Sequence, residues 1–99
     1  MTNITLSMHL DELCLSADIS QEAINEVVEY GIVTPLEGDT LSEWVFDLES
    51  AHWIKKAIKL SQQLQIDWVA TAMVIDLMRQ KQQLETENNQ LKVRLSRLL

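Results

Sequence analysis

Apolar and polar residues alternate from Ile4 through Leu6 and Met8 to Leu10. A period of two predicts a short strand with one buried face. Leu10, Leu13 and Cys14 then fall at helical spacing, which predicts a short first helix over residues 10–16. Ser20 is placed to cap a second helix, with Gln21 and Glu22 in its first turn, where acids suit the helix dipole. Ile24, Val27 and Val28 give that helix an inward face. Gly31 stops it and Pro35 prevents its resumption. Two short helices joined by a tight link at Ala17–Ile19 predict a helix-turn-helix.

The next stretch, Leu36–Glu43, carries a turn signal at Gly38-Asp39, and Trp44-Val45-Phe46 reads as a brief strand. Together they predict a small hairpin, or wing. Asp47 is positioned to cap a third helix running to about Leu64. Its two apolar stripes, Ala51/Ile54/Ile58 and Trp53/Ala57/Leu60/Leu64, predict a central, widely buried helix. Ile66 and Asp67 mark a break and a new cap.

No glycine or proline interrupts Asp67 to Leu99. At about 1.5 Å per residue, a helix there reaches roughly 48 Å. Leu77, Leu84, Leu91 and Leu98 recur every seven residues as d positions. Val74, Lys81, Asn88 and Leu95 are then the a positions. A heptad sustained this long predicts a coiled coil. A lone helix would leave its leucine seam in water, so a second copy is the simplest cover. The expected dimer seam is Val74, Leu77, Leu84, Asn88, Leu91, Leu95 and Leu98, with Asn88 fixing register at some cost in stability. A parallel pair would set Glu87 against Lys92 of the partner subunit. An antiparallel pair would bring Glu85 near that lysine, and both arrangements stay open.

Charge sharpens this picture. The 99 residues carry a formal charge of −7 with 46% apolar residues, enough to pack one modest core. Residues 1–54 hold eleven acids and no lysine or arginine, while residues 55–99 hold eight bases against four acids. On the second helix Glu22, Glu26 and Glu29 are spaced four and three apart and form one acidic face. A DNA-reading helix would present Arg, Lys, Asn or Gln there. Asn25 alone does not offset three carboxylates aimed at phosphates. The ordinary reading is a solvated face that confers solubility; the sharper one, favoured by the absence of bases over 54 residues, is a docking face for a basic protein rather than nucleic acid. Lys55, Lys56 and Lys59 form a small basic patch whose ordinary reading is a solvated face. Trp44, in the wing, is the tryptophan with weight as an interface anchor.

No catalytic, metal or cofactor site is expected. The histidines are His9 and His52, Cys14 is the lone thiol, and no spacing supplies three or four metal ligands. Two glycines, Gly31 and Gly38, do not make a phosphate loop. A single cysteine fits a reducing cytosol. No basic stretch leads into an apolar one at the N-terminus, and no apolar run is long enough to span a bilayer. The expectation is a cytoplasmic protein without a membrane segment.

Taken in order, Leu10-Asp11-Glu12-Leu13-Cys14, Ile19-Ser20, Tyr30-Gly31-Ile32-Val33-Thr34-Pro35 and Trp44-Val45-Phe46-Asp47, followed by a long helix, resemble the MerR-type winged helix-turn-helix. With Leu64 through Trp68 and the ending Arg94-Leu95-Ser96-Arg97-Leu98, the chain is more closely similar to the CbpM family of chaperone modulators. That likeness implies a mainly α fold: a MerR-like winged helix-turn-helix head over residues 1–64 with short strands, and a C-terminal coiled-coil helix over 65–99 that makes a homodimer. It implies as partner the J-domain of the DnaJ-like co-chaperone CbpA, and inhibition of that protein's stimulation of DnaK (Hsp70), with an effect on its nucleoid association. The J-domain's basic helix supplies a physical route. Glu22, Glu26 and Glu29, with Asp11, Glu12, Asp47 and Trp44, are the expected contact residues. A MerR-class DNA-binding regulator is the alternative the fold allows.

Overall fold

A computed structural model describes residues 7–99. The expected strand residues Ile4 and Leu6 lie outside them. Within them the order is β1 (Ser7–His9), α1 (Leu10–Ala17), α2 (Gln21–Glu29), a 3-10 turn (Leu41–Glu43), β2 (Val45–Asp47), α3 (Leu48–Leu64) and α4 (Trp68–Leu98).

The helix starts follow the capping residues. The Ala23 N–H donates to Ser20 Oγ (3.1 Å), the Ser50 N–H to Asp47 Oδ1 (2.7 Å) and the Ala70 N–H to Asp67 Oδ1 (2.8 Å). Each bond satisfies an amide with no partner inside its helix. The end of α2 is set by Gly31, at φ +73°. The Gly31 N–H donates to the Val28 carbonyl and the Ile32 N–H to the Val27 carbonyl. That pair of bonds is a Schellman close, and the buried Ile32 and Val27 supply its apolar contact. Between α1 and α2, Asp18 takes the left-handed conformation at φ 54° and turns the chain sharply.

The wing departs from the expected hairpin. β2 pairs antiparallel with β1, matching Ser7 to Asp47, Met8 to Phe46 and His9 to Val45. The Leu36–Glu43 arm meets β2 only at one bridge, Glu37 to Val45. The arm's residues after Glu37 curl into the 3-10 turn, which leaves no ladder to extend. Gly38, at φ +108°, lets the arm pass against the Glu43 carbonyl, where a Cβ would collide.

The core gathers Leu10 and Leu13 of α1, Ile24 and Val27 of α2, Phe46 of β2, and Ala51, Trp53, Ile54, Ala57 and Ile58 of α3. Fully burying each large apolar side chain contributes about 1.5–3 kcal/mol. Both expected stripes of α3 are buried as far as Ile58, and Leu60 is half-buried. Leu64 is a correction: it is exposed, because the chain turns at Gln65 (φ 52°) and nothing packs over the last turn. Cys14 is half-buried against the core.

Helix α4 joins this core through its first turns. Thr71 and Ile75 are buried, and Trp68, Ala72 and Met78 pack at the edge. Beyond Arg79 every residue of α4 is exposed. The radius of gyration, 16.3 Å, exceeds the roughly 13 Å of a compact chain of this length because the distal helix projects.

Candidate protein-interaction site

The acidic residues of α2 face outward. At 100° per residue Glu22, Glu26 and Glu29 lie opposite Ile24 and Val27, the residues that face the core. Glu22 and Glu29 are exposed and Glu26 is half-buried. Asn25 donates from its side-chain nitrogen to Glu29 Oε1 at 3.3 Å. Among the described residues the one ion pair is Lys81–Glu85, on α4. The α2 carboxylates therefore pair with no cation among the described residues.

The helix dipole favours Glu22, in the first turn, but local energetics do not explain the other two acids. Glu26 and Glu29 sit in the C-terminal half of α2, and its last turn holds no base. The helix dipole disfavours negative charge there. Like charges three or four residues apart cost about 0.2–0.5 kcal/mol per pair. The fold would be slightly steadier without Glu26 and Glu29, and their charge is left open to solvent and to any cationic group that approaches.

The other expected contact residues lie on α1, at the end of the 3-10 turn and on β2. Asp11 and Glu12 occupy the exposed side of the first turn of α1, opposite the buried Leu10 and Leu13. Leu15 lies on the same outer side of α1, 86% exposed, and was not among the sequence candidates. A single apolar residue between acids gives a sequence no periodic signal. Burial pushes the Cys14 thiol upward, and the Asp11 carboxylate adds to it. Trp44 is half-buried and stands edge-on to Phe46 at 6.2 Å. Asp47 serves as the α3 cap, and its carboxyl is held below the usual range by Ser50, the backbone N–H first.

Arg79 is a structural residue that sequence reasoning missed. Its Nη1 donates to the Ile32 carbonyl, and its guanidinium lies 5.1 Å from the Trp53 ring centroid. It ties α4 at once to the loop after α2 and to α3. In the heptad Arg79 falls two residues past Leu77, on the outer side of the coil, so its sequence position reads as solvated.

The tail carries a second open surface. Leu77, Leu84 and Leu91 are 63%, 64% and 61% exposed, and Leu95 and Leu98 are exposed too. Asn88 is exposed and Val74 half-buried. On the helical wheel this stripe, joined by Val69 and Met73, lies opposite Thr71 and Ile75. The seam thus faces away from the head along the whole of α4. No group of three or more His, Cys, Asp or Glu residues among those described is arranged to hold a metal ion. No described helix is long and apolar enough to cross a membrane.

Comparison with known proteins adds the following. The family described as MerR HTH family regulatory protein matches residues 8–93. A chaperone modulatory protein CbpM of Pseudomonas putida is 42% identical over 97 residues, covering 96% of this chain and 95% of the relative. That of Pseudomonas entomophila is 44% identical over 95 residues, 94% of this chain and 93% of the relative. That of Citrobacter koseri is 37% identical over 99 residues, 100% of this chain and 97% of the relative.

Proposed function

This chain belongs to the CbpM family of chaperone modulatory proteins, built on the MerR helix-turn-helix, and we propose that it acts by binding the J-domain of the DnaJ-like co-chaperone CbpA. One observation carries the reading. The helix that a gene regulator of this fold would lay in the DNA groove here presents Glu22, Glu26 and Glu29 outward, with no ion pair to neutralise them among the described residues.

A basic helix of the J-domain would lie along these carboxylates, with Asp11 and Glu12 of α1 extending the field. Trp44 and Asp47 stand at the wing side of the contact surface. The surface covered is the one DnaK needs, so stimulation of the DnaK ATPase falls, and with it the co-chaperone's nucleoid association. The action is competitive occupancy in the cytoplasm, with no cofactor and no bond made or broken. The same carboxylates disfavour DNA: each close contact with a phosphate costs on the order of 1 kcal/mol even in high dielectric.

The tail makes the homodimer in this proposal. Leucines on α4 need an apolar cover, and a second α4 supplies one of the same length and spacing. Two heads per dimer would hold two J-domains.

The test is suppression of J-domain-stimulated DnaK ATPase by the purified protein and by a Glu22→Lys, Glu26→Lys, Glu29→Lys variant. Wild type should suppress and the variant, with unchanged circular dichroism, should not. Equal suppression by both would remove α2 from the mechanism.

A further inference from the structure

Residues Lys55, Lys56 and Lys59 are the first cations of the chain and all lie on the outer side of α3. Each has another lysine three or four residues away, and none has a carboxylate at that spacing. The crest therefore repels itself, and α3 gains nothing from it. Asp18 borders the crest from the turn between α1 and α2 but stays beyond ion-pair distance of both Lys55 and Lys59. On the other side a recess of about 360 Å³ separates the crest from α4. Leu60 and Met78 line it beside the lysines and His52, and no carboxylate does. A cationic rim beside an apolar lining is an amphipathic arrangement. Lysine stems can lie along a bound apolar face while their ammonium groups stay wet, and methionine adapts to varied shapes.

We propose that this crest and its recess form a second docking surface, for an acidic amphipathic segment of another protein. Carboxylates of the segment would meet Lys55, Lys56 and Lys59, and its apolar side would enter between Leu60 and Met78. A nucleic acid fits less well. The three lysines span only about 6 Å of helix rise, duplex affinity is built from many phosphate contacts, and Leu60 and Met78 offer a phosphate nothing. The crest is a surface of opposite charge to the α2 carboxylates and lies on a different helix, so the head would meet a basic partner at α2 and an acidic one at α3.

The probe is a short fluorescent helical peptide with glutamates on one side and leucines on the other, titrated into the full-length protein at low salt. Wild type should bind saturably, with amide shifts over residues 52–63 and at Met78. A Lys55→Glu, Lys56→Glu, Lys59→Glu variant, whose changes are all exposed, should bind about tenfold more weakly or worse. Reversing the charges on α2 should leave the peptide bound. No saturable binding, or equal binding by the lysine variant, would overturn the proposal. So would displacement of the peptide by a mixed-sequence DNA duplex acting through the same lysines. A change in oligomeric state on lysine reversal, without peptide, would assign the crest to contacts between copies and overturn it as well.

Discussion

Helix α4 places one sequence pattern in two environments. Over Trp68–Arg79 its inner side is closed by the head, with Ile75 and Thr71 buried and Arg79 bonded to the Ile32 carbonyl. Over residues 80–98 both sides face water, although the leucines continue at the same spacing. The proximal half is held by tertiary packing. The distal half has only backbone hydrogen bonds and weak pairs such as Lys81–Glu85, which contribute a few tenths of a kcal/mol. An isolated helix on those terms is marginal. The difference separates two kinds of open surface. The tail leaves an apolar stripe uncovered, and the head, whose core is closed, leaves charge uncovered.

Breaking the seam should have the largest effect. Leu84→Ala with Leu91→Ala removes two apolar side chains from the proposed dimer, at roughly 2 kcal/mol or more each where leucine is buried. Sedimentation should show a shift to monomer and circular dichroism a loss of distal helix, while the head's melting survives. An unchanged oligomer would show that the leucines are not the seam. Ile75→Ala tests the other half of the same helix. It should cost about 2–5 kcal/mol of head stability, independent of protein concentration. A concentration-dependent loss would mean that the proximal half also stands in the dimer contact.

Charge changes rank next. Replacing Glu22, Glu26 and Glu29 by glutamine should leave the fold intact or slightly firmer, since it removes repulsion along α2. Co-chaperone binding should weaken about tenfold or more, consistent with three charged contacts. The smallest effect is at the α3 cap. Asp47→Ala should cost about 1 kcal/mol. The folded pKa of Asp47 is lowered, so the stability from its charge is present above the ordinary carboxylate range and is lost as pH falls through the lowered value. The stability gap between wild type and Asp47→Ala should therefore narrow in acid, measured by urea unfolding at several pH values. A constant gap would mean that the cap acts without its charge.

Local chemistry was readable from the sequence, and distant pairing was not. Ser20, Asp47 and Asp67 announced their helices because a cap needs only a side-chain oxygen and the amides just beyond it. Gly31 announced the end of α2 for a similar reason. Choosing β1 as the main partner of β2 requires knowing which strand lies nearby, and the sequence offered only the adjacent arm. Leu64 fits the α3 period, yet the chain turns away before anything covers it. Arg79 carried no signal because its partners, Ile32 and Trp53, are far off in the chain. The outward acidic face of α2 was readable, since helical periodicity and the apolar residues Ile24 and Val27 fix its direction. Its partner entered only by family likeness.

The most direct measurement is the affinity for the isolated CbpA J-domain across a salt series, for wild type and the Glu22→Gln, Glu26→Gln, Glu29→Gln variant. Wild type should weaken steeply as salt rises, and the variant should start weak and change little. Equal affinities with the same shallow salt dependence would contradict a docking surface made by the carboxylates of α2.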